Sequence, residues 1–285
     1  MLYKKYYVAQ NIEDAVQILA GSKDSARLIA GGTDLLLQLN AQPGLVSTLV
    51  DISSVGALRE ISQQDGKIHI GAAATYAQIR QSELLARKAF LLVEASRQIG
   101  ANQIQNMGTI GGNVANASPA GDMLPCLYAL DAWVNLHGAE GSRSLPISDF
   151  IKGYRQIDRK PDEIIVSFSF NALESESGSA FVKFGARKAQ AISIVNAAAV
   201  LTVQQGKVKV ARLALGSVAP TVVRSRSAEA LLQNQQPSAE LFQQAGERAR
   251  GDIQPIDDIR ASAAFRRHIA GVITSRALSK ALERI

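Results

Sequence analysis

The sequence predicts an α+β protein, built as two small α/β units followed by a smaller α+β domain. Three observations carry this. The first fifty or so residues alternate short apolar runs with segments of helical length, and residues 56–174 repeat that mixture around strands of alternating polarity. From residue 175 the order changes to long strands and then helices, as in segregated α+β architectures. Finally, 285 residues are more than one hydrophobic core ordinarily serves. The stretch "NALESESGS" at 171–179 is the only linker-like segment. It sets the expected division at 1–174, with subdomains of about 1–55 and 56–174, and 175–285.

Residues 11–20, "NIEDAVQILA", read as a helix with Asn11 as cap and Glu13 and Asp14 at its positive end. "ARLIAGGTDLLLQLN" gives a short strand, a Gly-Gly turn and an apolar helical segment, and "STLVDIS" gives the next strand. Gln64-Asp65-Gly66 reads as a turn before the alternating strand "KIHIGAAAT". Residues 82–98 predict one helix, with Leu84, Leu85, Leu91, Leu92 and Ala95 on its inner face. "DMLPCLYALDA" predicts a short helix that Asp122 is placed to cap; Pro125 is tolerated in its first turn. "WVNLHG", "RSLPIS" and "EIIVSFSF" are strands. Beyond the linker come "AFVKFGAR", a long hairpin turning at Gln-Gly, and three helical segments, the last an amphipathic one at 260–284.

The net charge of +6 is uneven. Residues 1–170 hold 15 Lys/Arg and 16 Asp/Glu, whereas residues 171–285 hold 16 and 9. The excess is scattered, as in Arg224/Arg226 and Arg266/Arg267, without interleaved aromatics, so it reads as a solvated surface rather than a nucleic-acid site. One cysteine, Cys126, excludes a disulfide framework within the chain and an iron–sulfur cluster held by it alone. In its apolar helix Cys126 reads as a small core residue. His69, His137 and His268 lack metal-ligand spacing, and no nucleophile elbow is present, so no catalytic side chain is expected. No apolar run has the length of a signal peptide or membrane span, which points to a cytoplasmic protein.

Two glycine loops remain, "AGGTD" at 30–34 and "GTIGGN" at 108–113. Glycines leave backbone N–H groups open to a close-approaching anion, above all beside a helix start. Neither loop matches a single-loop nucleotide fingerprint. On spacing alone they read either as a diphosphate cradle or as two tight turns.

The surrounding residues add a resemblance. "RLIAGGTDLL", "IGAAATYAQI" and "NMGTIGGNVANASPAGDMLP", continued by "PDEIIVSFSF", "AFVKFGARKAQAISIVNAAAV" and "RASAAFRRHI", resemble the FAD-binding subunits of the molybdenum hydroxylases. These are the xanthine dehydrogenase and carbon monoxide dehydrogenase type enzymes, and the likeness is above all to the separate FAD subunit of bacterial xanthine dehydrogenases. It spans nearly the whole chain. It implies a two-subdomain FAD-binding domain of the PCMH type, with the flavin between the subdomains and an α+β domain behind.

Carried over by motif, Arg27, Leu28, Ile29, Ala30, Gly31, Gly32, Thr33 and Asp34 would wrap the diphosphate, with Thr33 adding a hydroxyl. Gly108, Thr109, Ile110, Gly111, Gly112 and Asn113 would hold its other side and the ribityl chain. Asp122 would accept a hydrogen bond from the sugar portion of FAD. Ile164 and Ile165 would lie beside the flavin or adenine, although buried strand residues need no ligand to explain them. Lys183 would lie near the flavin.

The resemblance further implies partner subunits: a small one with two [2Fe–2S] clusters and a large one with the molybdenum cofactor. Electrons would pass from them to FAD and on to an acceptor such as NAD+, or return from NADH. The alternatives are a free-standing FAD-dependent reductase or oxidase of related fold, and a non-enzymatic assembly subunit.

Overall fold

A computed structural model describes residues 2–22 and 25–285. The first unit runs β1 (Lys5–Val8), α1 (Ile12–Ser22), β2 (Ala26–Ile29), α2 (Leu35–Ala41) and β3 (Thr48–Asp51). Its three strands are parallel, in the order β1-β3-β2. Parallel neighbours require crossover connections, which the two helices supply. Asn11 caps the first as expected, its Oδ1 accepting from Asp14 N at 2.8 Å. Strand β1 was not legible: all four of its residues are exposed, so "KYYV" carries no alternation.

The second unit opens with β4 (Ile61–Gln64) and β5 (Lys67–Gly71). Asp65 (φ 49°) and Gly66 (φ 76°) turn between them in the left-handed conformation that a two-residue hairpin demands. Helices α3 (Tyr76–Gln81), α4 (Glu83–Lys88) and α5 (Phe90–Gln98) follow. The single helix expected at 82–98 is therefore two, broken at Ala89 (φ −163°, ψ 55°). α5 has consecutive buried residues, Leu91, Leu92 and Val93, and is clasped by the C-terminal sheet through Leu91 N to Ser179 Oγ. α4, by contrast, buries only Leu85.

Next come α6 (Asn102–Met107), α7 (Ile110–Asn116) and α8 (Met123–Ala129). Then β6 (Trp133–Gly138), β7 (Gly141–Pro146), α9 (Ile147–Phe150), β8 (Ile151–Gly153), β9 (Gln156–Ile157) and β10 (Ile164–Asn171) complete an antiparallel sheet ordered β4-β5-β10-β6-β7, with β8 and β9 a separate hairpin.

The last unit is the antiparallel sheet β11 (Ser177–Gly185), β12 (Ser193–Gln204), β13 (Lys207–Gly216) and β14 (Val223–Arg224), with α10 (Arg226–Leu232), α11 (Ala239–Gly251) and α12 (Ala263–Leu282). Gln205 (φ 52°) and Gly206 (φ 73°) make the foreseen hairpin turn. The small, apolar run of β12 follows from burial on both faces. Ala197, Ala199 and Leu201 pack with α11 and α12 in one cluster, while Ala198 and Val200 join Phe181, Ala214 and Val222 in the core of the second unit. The expected α+β architecture is thus observed.

Two arginines read as solvated are not. Arg266 is 4% exposed and donates to Ile194 O at 2.5 Å and Asp258 Oδ1 at 2.7 Å. Arg224 joins Glu229 and Asp131. Charge patterning cannot reveal that the fold brings the Ile194 carbonyl to Arg266 and the Asp131 carboxylate to Arg224. Among the described residues, no helix is long and apolar enough to cross a membrane.

Candidate functional site

A cleft of about 620 Å³ opens between the first unit and the second. That is the size of a small-molecule or cofactor site. The loop between β2 and α2 forms one wall. Gly32 takes φ 66°, which glycine reaches at no steric cost. A Cβ on Gly31 would lie 1.7 Å from the Met107 carbonyl oxygen, so this glycine lets the first loop rest on the end of α6. Among the described residues, the N–H groups of Gly31, Gly32, Thr33 and Asp34 take no acceptor within the chain, and all four residues line the cleft. Four consecutive uncommitted donors in a concave wall make an anion-binding nest. The Asp34 carboxylate is committed: it accepts from Asn116 Nδ2 and, at 3.1 Å, from Gln38 Nε2, tying the loop to the end of α7.

The second glycine stretch behaves differently. It is the first turn of α7, capped by Thr109, whose Oγ1 accepts from Gly112 N at 3.0 Å. Ile110 N, Gly111 N and Asn113 N donate to Ala74 O, Ala72 O and Thr109 O. The amides of 110–113 are therefore committed, whereas those of 31–34 are open. A Cβ on Gly111 would sit 2.5 Å from Ala72 O, and one on Gly108 would sit 2.6 Å from the Tyr76 ring; both glycines serve close packing. Gly112 alone is open towards the cleft, a Cβ there meeting only Thr109 Oγ1, at 3.0 Å.

β10 supplies Ile164 and Ile165, consecutive residues that both reach the cleft beside a bulge in the β10–β6 pairing. Tyr76 is a buried wall residue. Burial pushes its phenol well up and the charges of Asp122 and Asp34 add to this, against a hydrogen bond with Asn113, so the phenol stays neutral at physiological pH. Among the described residues, the charged members of the lining are Arg27, Arg155, Arg159 and Asp34, a set that favours an anion.

Of the residues expected at the site, Arg27, Leu28, Ile29, Ala30, Gly31, Gly32, Thr33, Asp34, Thr109, Gly111, Gly112, Asn113, Ile164 and Ile165 line this cleft. Gly108 lies under Tyr76, and Ile110 is wholly buried in the core. Asp122 and Lys183 are not part of this lining; they are buried against each other at 2.6 Å. Asp122 also accepts from Ser193 Oγ (2.5 Å) and Asn196 Nδ2 (2.7 Å), and although it begins α8 its side chain makes no cap bond. Lys183 borders a second hollow of about 370 Å³ with Gln98 and residues 184–191. Sequence reasoning missed Tyr76, Gln38, Asn116, Arg155 and Arg159 in the main cleft. The one available signal was the charge density of "GYRQIDRKP" between two strands.

Comparison with known proteins agrees. Residues 2–170 match the family described as the FAD binding domain in molybdopterin dehydrogenase, and residues 180–281 match the CO dehydrogenase flavoprotein C-terminal domain. The putative xanthine dehydrogenase FAD-binding subunit of Escherichia coli (strain K12) is 33% identical over 282 residues, covering 98% of this chain and 96% of that one. The 6-hydroxypseudooxynicotine dehydrogenase complex subunit alpha of Paenarthrobacter nicotinovorans is 33% identical over 280 residues, covering 98% and 94%. A chain in the structure of carbon monoxide dehydrogenase from Hydrogenophaga pseudoflava superposes with a TM-score of 0.94 at 29% identity, covering 99% and 98%. The chain therefore belongs to the FAD-binding flavoprotein subunits of the molybdenum hydroxylase family, and its cofactor is FAD.

Proposed function

We propose that this chain is the electron-transfer subunit of a xanthine dehydrogenase-like complex. It would accept electrons from [2Fe–2S] clusters on a small partner, themselves fed by a molybdenum-cofactor subunit, and deliver them to NAD+. The observation that supports this most is the nest at Gly31, Gly32, Thr33 and Asp34, whose free N–H groups face this cleft. Bound FAD supplies the redox chemistry that joins one-electron clusters to a hydride acceptor.

The chain's own residues bind and orient. The nest holds the diphosphate, Asp34 keeps that loop docked on α7, and Gly112 leaves room for close approach. Ile164 and Ile165 exclude water from the far wall. Among the described residues, no cluster of His, Cys, Asp and Glu is grouped to hold a metal ion. The chain's one cysteine is buried, and burial holds that thiol well above its usual range, unsuited to holding a cluster.

The test is division of labour. The purified chain, loaded with FAD, should lose flavin absorbance on mixing with NADH and should not oxidise xanthine or an aldehyde until iron–sulfur and molybdenum subunits are added. Oxidation of either substrate by the chain alone, shown free of molybdenum and iron, would overturn the assignment.

A further inference from the structure

A cationic element reaches the cleft from outside both glycine stretches. Between β9 and β10 the chain carries Arg159, which lines the cleft together with Arg155 and Pro161. Its Nη1 donates to three carbonyl oxygens of its own segment, Glu163 O at 2.6 Å, Lys160 O at 2.9 Å and Pro161 O at 3.2 Å. A guanidinium has five N–H donors, and these bonds all leave from one nitrogen. Among the described residues, Nε and Nη2 take no acceptor in the chain.

The neighbouring carboxylate of Glu163 is otherwise engaged. Glu163 is gripped through both oxygens by Arg143, at 2.6 and 2.8 Å, and accepts from Lys160 N at 2.7 Å. Arg143 also donates to Asp158 O and Oδ1, so it brackets the segment on both sides of Arg159. The result is a fork whose base is fixed by carbonyls and whose loop is clamped. Burial and then the like charge of Arg27 push the Arg159 guanidinium below its usual range, the setting in which an anion is most welcome.

We propose that Arg159 is a preorganised phosphate-binding residue, pairing with the diphosphate of the ADP half of FAD while the 31–34 nest holds the same group from its own wall. The inference rests on the cofactor placement proposed above. A guanidinium already immobilised loses little freedom on binding and meets phosphate oxygens in a fork geometry that a lysine lacks.

Titration of apoprotein with FAD, and separately with ADP, at low and high ionic strength tests this. Arg159→Gln should weaken FAD and ADP alike by about tenfold to a hundredfold, the range for a lost charge-assisted hydrogen bond, and should flatten the salt dependence of both. Arg159→Lys should keep the salt dependence and lose about tenfold. A folded Arg159→Gln protein that binds FAD as tightly as wild type overturns the proposal. So does one that loses FAD affinity while ADP binding is untouched, since Arg159 would then not meet the diphosphate. If Arg159→Gln does not fold, unchanged FAD binding by Arg159→Lys is the overturning result. Failure of the wild-type chain to bind FAD or ADP instead defeats the cofactor placement itself, and this proposal with it.

Discussion

Gly31, Gly32 and Gly112 share one cleft and answer to three different constraints. At Gly31 the obstacle is backbone, so Gly31→Ala must prise the first loop from Met107. It should cost about 3 kcal/mol and FAD retention together, as overpacking does. At Gly32 the obstacle is conformation: any L side chain at φ 66° costs about 1–2 kcal/mol, and a β-branched one more. At Gly112 the space belongs to the cleft, so Gly112→Val should leave the apoprotein melt close to wild type while FAD is lost. Apoprotein melting temperatures set beside flavin-to-protein ratios check all three. Normal flavin content in Gly112→Val would show that the start of α7 does not approach the cofactor. The sequence displayed these glycines but not their separate duties. The duty of Gly31 depends on Met107, which the fold brings up from a distant position, and that of Gly112 on the absence, among the described residues, of any neighbour beyond Thr109.

At the scale of elements, the strap at 252–262 joins α11 to α12; Asp252 and Asp257 hold its ends, and Asp258 ties its middle. Asp258 accepts from Arg260 N at 2.8 Å, Ala261 N at 3.2 Å and Arg266 Nη2 at 2.7 Å. Burial pushes its carboxyl up, but the Arg260 amide, the Arg266 guanidinium and the Ala261 amide outweigh it and hold it at about 2. The folded value is below the unfolded one, so this stability is complete above the unfolded value of 3.8 and is lost as pH falls towards about 2. Denaturant melts from neutral pH down into that window should show wild type losing stability where Asp258→Asn shows a smaller loss. Parallel pH profiles would contradict it. The helices that the strap joins were legible from apolar spacing, and Ser262 caps α12, accepting from Phe265 N. The strap was not, because nothing in "FRRHI" distinguishes buried Arg266 from exposed Arg267.

Across the whole molecule, Asp122 and Lys183 join the second unit to the C-terminal sheet. Their side chains are only 6% and 8% exposed, and Lys183 Nζ also donates to Gln98 O at 3.1 Å. Lys183→Met strands a buried carboxylate and should destabilise by about 3–5 kcal/mol. Adding Asp122→Asn should recover part of that loss, and strictly additive urea-melt energies would argue against the pairing. Resemblance picked out both residues; their mutual bond required the tertiary fold. FAD held between two units should also stabilise only the assembled chain. A hundredfold excess over its dissociation constant should contribute about 3 kcal/mol, and superimposable melts of apoprotein with and without FAD would count against a bridging site. The order of units was readable because strand alternation and linker composition are local properties. The cleft walls at Tyr76 and Arg159 are products of packing.

The core shared between the second unit and the C-terminal sheet has a consequence during biosynthesis. Phe181, Ala198, Val200, Ala214 and Val222 close a cluster whose other members precede residue 174. A ribosome adding about 5–20 residues per second needs roughly 2–10 s to make the roughly 50 residues from there to Val222. Throughout that interval the nascent chain carries an uncovered apolar face. A fragment ending at residue 174 is the same intermediate made permanent, so it should bind a hydrophobic dye and aggregate. A stable, dye-silent monomer would mean that the first two units close their core unaided.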